Sequence, residues 1–221
     1  MHERARLGSM LPTFVLEQLS QPRGKLAPLT AALLNTVNAR TIVAGVSALE
    51  LQPGQRAADV GFGGGLSIPL LLRAVGPTGQ LFAIETSEEM LARARRRFIV
   101  PRMRGRLRIE RAVVESLPLG DDCFDAAMSL NTIMFWTDVA KGLRELARIL
   151  MPGGRLVLGL PDPEHVRSVG LAAQGHRVVV PERLSERLHL YGFEPLELRQ
   201  TPDGTTLLVA TRINELSDDG L

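Results

Sequence analysis

The sequence predicts an α/β protein: a doubly wound, mostly parallel sheet that ends in an antiparallel hairpin. Three observations carry this. From Pro53 onward, short β-rich runs alternate with helical segments. That alternation calls for parallel strands, right-handed crossovers and helices on both faces. Near the C-terminus the alternation stops, and two β-rich runs, Phe193 to Arg199 and Thr205 to Arg212, flank Pro202-Asp203-Gly204. Asp-Gly between such runs signals a hairpin, which places one strand antiparallel at the end of the sheet. Finally, an apolar run ends in Asp59-Val60-Gly61-Phe62-Gly63-Gly64-Gly65 and opens directly into a helical segment.

The elements follow in order. Breakers at Gly8, Pro12, Pro22 and Gly24 leave residues 1 to about 25 as a poorly specified arm. Leu26, Leu29, Leu33, Leu34 and Val37, then Ile42, Val46 and Leu49, recur at helical spacing. Pro53-Gly54 stops this region, which divides the chain into an N-terminal part, residues 1–52, and a main domain, residues 53–221. Ala57, Ala58 and Val60 mark a first strand, Leu66 to Val75 a helix, and Gln80 to Glu85 a second strand. Ser87 to Phe98 is a helix, with Ser87 as its cap and Glu88 and Glu89 in the first turn, where the dipole favours acids. Leu107 to Val113 alternates as a third strand and Phe124 to Leu130 forms a fourth. A helix over Asp138 to Leu150 follows, then Met151-Pro152-Gly153-Gly154 as a sharp turn before a fifth strand, Arg155 to Leu160. Pro181 to Leu190 is a short helix closed by Tyr191-Gly192, and the hairpin strands bring the sheet to seven.

At 221 residues the chain has the length of one domain with a full core. Its 45% apolar and 23% charged residues are ordinary for a globular protein. A single cysteine, Cys123, excludes an internal disulfide framework. There is no CxxC or HExxH spacing, and His2, His165, His176 and His189 are scattered, so no metal is expected. No apolar run approaches the ~18–20 residues that cross a membrane. Met1 to Arg6 carries an acid and no long apolar core follows, which makes a poor signal peptide. The expectation is a cytoplasmic protein without a membrane partner.

Net charge is only +2, but Arg93, Arg95, Arg96, Arg97, Arg102, Arg104, Arg106, Arg108 and Arg111 crowd one segment. Such a cluster could face phosphates, or could coat a solvated helix and a sheet edge. No aromatic residues are interleaved to stack bases, which disfavours a nucleic acid partner.

A strand that ends in glycines and turns into a helix is built to hold a ligand. Missing side chains let backbone N–H groups approach it, and the helix N-terminus adds partial positive charge. About twenty residues on, Glu85 ends the second strand, where an acid can grip ribose hydroxyls. The plainer alternative is a tight turn, with Glu85 a solvated acid beside Ser87. A dinucleotide fingerprint needs Gly or Ala at position 66, and the chain has Leu66. Its pattern is G-x-G-x-G at Gly61, Gly63 and Gly65, preceded by Asp59.

This pattern resembles the first motif of class I S-adenosylmethionine-dependent methyltransferases. The likeness extends from Pro53 to Arg212 and includes Thr86-Ser87-Glu88-Glu89-Met90-Leu91 and the run Arg144 to Leu156. It implies a Rossmann-like, seven-stranded sheet and S-adenosyl-L-methionine as cofactor. On this resemblance Asp59, Gly61, Gly63 and Gly65 would hold the methionine moiety and Glu85 the ribose. Met90 would approach the adenine, or serve as a core residue. Many relatives carry Asp where this chain has Val113. Backbone groups at Val114 and Glu115 would then read the adenine edge, since they need no particular side chain. Asn131, just after the fourth strand, is also placed against the cofactor. The N-terminal helices, with Asn35 and Asn38, resemble a lid.

Enzymes of this family that methylate exocyclic amines of bases, or glutamine amides, carry [D/N/S]-P-P-[Y/F/W] after the fourth strand. This chain has Ser129-Leu130-Asn131-Thr132-Ile133-Met134-Phe135-Trp136, without Pro-Pro. Ile133 to Trp136 suggest an apolar wall, with Trp136 either facing the acceptor or filling the core. Beyond the fifth strand lie Asp162, Glu164 and His165. His165 is the candidate general base, against a solvated loop histidine, and His176 is a second candidate. The expected activity is methyl transfer to a small, partly apolar metabolite at oxygen, nitrogen or carbon. Two alternatives stay open: an RNA or protein methyltransferase using the Arg-rich segment, and a non-catalytic cofactor-binding regulatory protein. A homodimer is also left open.

Overall fold

The computed structural model describes residues 35–213. The expected arm and the helical repeat up to Leu34 lie outside the described residues, as do residues 214–221. The strands are β1 (Arg56–Val60), β2 (Gln80–Glu85), β3 (Leu107–Arg111), β4 (Phe124–Leu130), β5 (Leu150–Leu160), β6 (Phe193–Gln200) and β7 (Thr206–Arg212). They form one seven-stranded sheet in the order β3-β2-β1-β4-β5-β7-β6. β1 to β5 are mutually parallel where they pair, and β7 runs antiparallel to both β5 and β6. The strand order reverses between β1 and β4, and a crevice opens at such a switch point.

The central strands β1, β2, β4, β5 and β7 are buried on both faces over most of their length, so they read as apolar runs, whereas the edge strands β3 and β6 leave many residues exposed. Ala58, Val60, Phe82, Ile84, Leu156 and Leu158 face one core, and Ala57, Leu81, Ala83, Met128 and Val157 the other. The helices are α1 (Ala39–Ala48), α2 (Ser67–Ala74), α3 (Glu88–Arg97), α4 (Ile99–Met103), α5 (Val139–Ile149), α6 (Pro163–Ser168) and α7 (Pro181–Ser185). α1, α2 and α3 cover the second core through Ala48, Ile68, Leu71, Met90 and Leu91. α5 covers the first with Leu143, Leu146 and Ile149, one apolar stripe at helical spacing. Ser87 caps α3 by accepting from Met90 N, and Asp138 caps α5 by accepting from Lys141 N.

Three expectations need correction. Met151 to Gly154 is no turn ahead of β5 but lies within it, as a bulge. The β4–β5 pairing jumps from Phe124–Leu150 to Ala126–Arg155, and Gly153 takes φ +75°. β3 stops at Arg111: Ala112 N makes the last bond to β2, donating to Glu85 O, and Val113 then turns away to bridge Ser116. The helix expected over 181–190 divides into α7 and a 3-10 turn at Leu188–Tyr191, closed by Gly192 at φ +86°.

The tip of the β6–β7 hairpin fastens the start of α1. Thr41 N donates to Asp203 Oδ2 (3.2 Å) and Thr41 Oγ1 to Asp203 Oδ1 (2.8 Å). Asn38, at the α1 N-cap, makes no side-chain cap of its own, so Asp203 serves the first-turn amide of buried Thr41 from across the fold. Burial pushes the Asp203 carboxyl up. The Thr201 and Thr41 hydroxyls and backbone N–H groups outweigh this and hold it below the ordinary carboxylate range. Its stabilising contribution is therefore present above that range and lost as the pH falls through the lowered pKa. Asp203→Ala is expected to cost about 1–3 kcal/mol near neutrality, read as a lowered urea midpoint.

Candidate active site

A cavity of about 1050 Å³ opens beyond the C-terminal ends of β1, β2 and β4. Ligand sites typically span ~300–1,000 Å³, so there is room for more than one small molecule. Asp59, Gly61, Gly63, Glu85, Met90, Val114, Asn131, Trp136 and His165 all line it. Gly65 does not. It is buried, its φ is +75°, and a Cβ there would lie 3.6 Å from Ile68 and Phe98. Its work is the turn into α2, on the side away from the cavity.

The floor is the loop after β1. Gly61 N and Phe62 N both donate to Ile84 O, which ties the loop to β2. Gly61 takes φ +85°, and a Cβ there would fall 2.5 Å from Thr132 Cγ2. Gly61→Ala is therefore expected to cost about 1–3 kcal/mol through overpacking and left-handed backbone, measured by urea denaturation. Gly63 differs. Its φ is +51°, but a Cβ would meet nothing within 4 Å, so its bare backbone faces open space.

Glu85 organises this loop. Its Oε2 accepts from Gly63 N (2.9 Å), and its Oε1 from Thr86 N (2.7 Å) and Ser87 N (3.1 Å). The carboxylate thus joins the glycine loop to the start of α3. Asp59, at the other end of the loop, is buried and accepts from Ser67 Oγ at 2.5 Å. Burial pushes its carboxyl up to about 7; the Ser67 hydroxyl pulls it down, and the nearby Glu85 charge pushes it up further.

The far wall comes from the chain after β4. Asn131 takes φ +55°, a left-handed conformation that asparagine tolerates, and its N–H donates to Gly159 O. Its side-chain amide donates to Asn38 Oδ1 (2.8 Å), and Asn35 Nδ2 donates to Gly64 O (3.1 Å). Residues 35–38 are thereby held over the loop. Trp136 is mainly a core residue: its ring packs where a Cβ at Gly142 would sit, 2.8 Å away, and only part of it borders the cavity. Its Nε1 donates to Thr132 Oγ1 (3.1 Å), Thr132 Oγ1 pairs with Ser129 Oγ (2.6 Å), and Ser129 Oγ donates to Val60 O (2.6 Å). Because the Ser129 proton is committed to Val60, Thr132 must be the donor to Ser129. This chain locks the wall onto β1.

Met134, Val166 and Leu171 form a small separate apolar cluster that borders the cavity, with Phe135 packed against it. His165 is exposed on α6 at the rim. Asp162 caps that helix by accepting from Glu164 N (2.9 Å). His176 is half-buried, its ring edge-on to Phe135 with centroids 5.1 Å apart. Among the described residues, His176 thus has a ring that orients it and His165 has no side-chain partner.

The lining is acidic: Asp59, Glu85, Glu89, Glu115, Asp162 and Asp203 contribute, against one guanidinium among the described residues, Arg111, which pairs with Glu88 at 2.8 Å. Such a cavity suits a cationic ligand. An open backbone at Gly63, flanked by Glu85 and a buried Asp59, fits a nucleoside that carries positive charge. No group of metal-ligating side chains occurs among the described residues, and no helix of theirs is long and apolar enough to cross a membrane. Ser67 and Thr132 were missed as site residues, since only the folded chain brings them to the loop; Asn38, expected on a lid-like helix, bonds Asn131.

Comparison with known proteins finds methyltransferases on the same fold. A family model described as a methyltransferase domain matches residues 58–158. An uncharacterized methyltransferase of Bacillus subtilis, YdaC, is 30% identical over 146 residues, which is 63% of this chain and 76% of that protein. The 27-O-demethylrifamycin SV methyltransferase of Amycolatopsis mediterranei is 32% identical over 158 residues, 66% of this chain and 57% of that protein. A solved S-adenosylmethionine-dependent methyltransferase from Aquifex aeolicus superposes with a TM-score of 0.67 at 20% identity, covering 84% of this chain and 98% of its own. Of two other related proteins, the chain spans only 33% and 58% of the length.

Proposed function

The chain belongs to the class I S-adenosylmethionine-dependent methyltransferase family, and on that premise we propose that it transfers a methyl group to a small, partly apolar acceptor. The observation that carries the proposal is the open backbone at Gly63, joined to Glu85 and set beside buried Asp59 in one acidic cavity. When bound, the cofactor supplies an activated methyl group, so the protein needs no nucleophile of its own. Its residues bind, align and exclude water.

Gly61 and Gly63 would receive the methionine moiety, with Asp59 beneath it. Glu85 would accept from ribose hydroxyls while keeping the loop amide at Gly63. Met90 and Val114, both buried at the cavity wall, would flank the adenine. Val113 offers no carboxylate there, which leaves that contact to backbone groups. Asn131 acts through Asn38, positioning the helix start that covers the loop.

For the acceptor, Met134, Phe135, Val166 and Leu171 offer an apolar surface. This supports an acceptor with an apolar part. Where the acceptor must lose a proton, His176 and His165 are the imidazoles at that wall, and the edge contact with Phe135 favours His176.

The test is direct. Purified protein should bind S-adenosylmethionine in calorimetry and pass its labelled methyl group to a compound in a small-molecule extract. Binding without transfer to any fraction would support the non-catalytic reading instead. Gly63→Ala separates cofactor site from scaffold. It is expected to cost only about 1–2 kcal/mol of stability, from the left-handed φ, yet to impair binding, because the new methyl enters the cavity.

A further inference from the structure

Between Met90 and Ile109 the chain carries eight arginines and no acidic residue. In their midst lies α4, an apolar helix none of whose residues is buried. Ile99, Val100 and Met103 are 51%, 56% and 82% exposed. Three aliphatic side chains standing out together form a patch of the kind that marks an interaction site.

The charges around them are unbalanced. Arg96, Arg97, Arg102, Arg104 and Arg108 are all exposed, and none has a carboxylate partner among the described residues. Elsewhere Arg111, Arg148, Arg155, Arg167, Arg199 and Arg212 each pair with Asp or Glu, and the arginines without an ion pair among the described residues, such as Arg73, Arg144 and Arg183, are not crowded in one segment. Here the contacts are neutral: Arg102 donates to Arg95 O at 3.2 Å, Arg97 lies over the Phe98 ring, and Arg108 over Phe82. The patch thus keeps its full positive field.

We propose that α4 and its surrounding arginines dock the protein on an anionic lipid surface, with Ile99, Val100 and Met103 entering the headgroup layer. Aliphatic side chains can sit at the acyl boundary while guanidinium groups pair with lipid phosphates. A nucleic acid would leave the aliphatic trio without a partner, and among the described residues no aromatic ring is exposed beside it to stack bases, Phe98 being buried. The patch shares no residue with the cavity, so the proposal is independent of the reaction.

Sedimentation of the full chain with vesicles tests it. The protein should pellet with phosphatidylcholine–phosphatidylglycerol vesicles and stay in solution with phosphatidylcholine alone. Arg102→Gln/Arg104→Gln should weaken this by roughly tenfold or more, since each cation contributes about fivefold at an anionic surface. Val100→Ser/Met103→Ser keeps every charge and should weaken it by about tenfold as well. Unchanged melting and cofactor affinity would show that both variants are folded. Failure to pellet with anionic vesicles overturns the proposal. So does loss on removing charge with no effect of Val100→Ser/Met103→Ser, particularly if RNA binds equally well, because that pattern marks a general polyanion surface.

Discussion

Replacing Glu85 with alanine should weaken S-adenosylmethionine binding by about ten- to a hundredfold, because hydrogen bonds to a charged group contribute ~1.5–3 kcal/mol. Two losses combine. The ribose hydroxyls lose their acceptor, and Gly63 N, Thr86 N and Ser87 N lose the oxygen atoms that now hold them. The glycine loop and the start of α3 then have no common anchor. Glu85→Gln keeps one carbonyl oxygen for Gly63 N, so it should lie between alanine and wild type. Calorimetric titration reads the affinity, and thermal melting confirms the fold. Equal affinities in Glu85→Ala and wild type would remove this residue from the cofactor site.

A second large effect should follow from Asp59. Burial lifts its carboxyl from 3.8 to about 7, partly opposed by the Ser67 hydroxyl and aided by Glu85. Between those values the folded chain holds a proton that the unfolded chain releases. Stability should therefore fall as the pH rises through this window, by a total on the order of 4 kcal/mol, and level off above it. Asp59→Asn keeps an acceptor for Ser67 and has no proton to lose. Its stability relative to wild type should grow from about pH 4 to about pH 7 and then stay constant. Urea denaturation at a series of pH values measures this, and parallel curves for the two proteins would contradict it. A cationic ligand beside Asp59 favours the carboxylate. Wild-type affinity for the cofactor should accordingly rise with pH up to about 7, a slope that Asp59→Asn should lack.

What the sequence disclosed was local. Gly61, Gly63 and Glu85 are legible because a strand-to-helix turn with left-handed backbone and an acid one strand away restrict residue type at fixed spacing. The sheet was legible for the same reason, since period and turn chemistry sit within each segment. Gly65 shows the limit: its spacing fits the motif, but only the folded chain shows that it faces Ile68 and Phe98. Met151 to Gly154 has the composition of a turn, yet the pairing on either side makes it a bulge, and register is not a local property. Long-range contacts were invisible. Thr41 and Asp203 are 162 positions apart, and Asn38 and Asn131 are 93, so nothing in either neighbourhood announces that they hold the start of α1 over the cavity.

The measurement that tests the account most directly is a crystal structure of the protein with S-adenosylhomocysteine. The sulfur and its amino acid tail should lie over Gly61 and Gly63, the ribose hydroxyls on Glu85, and the adenine between Met90 and Val114. A ligand lodged elsewhere, or a cavity that the protein's own atoms close against it, would contradict that placement.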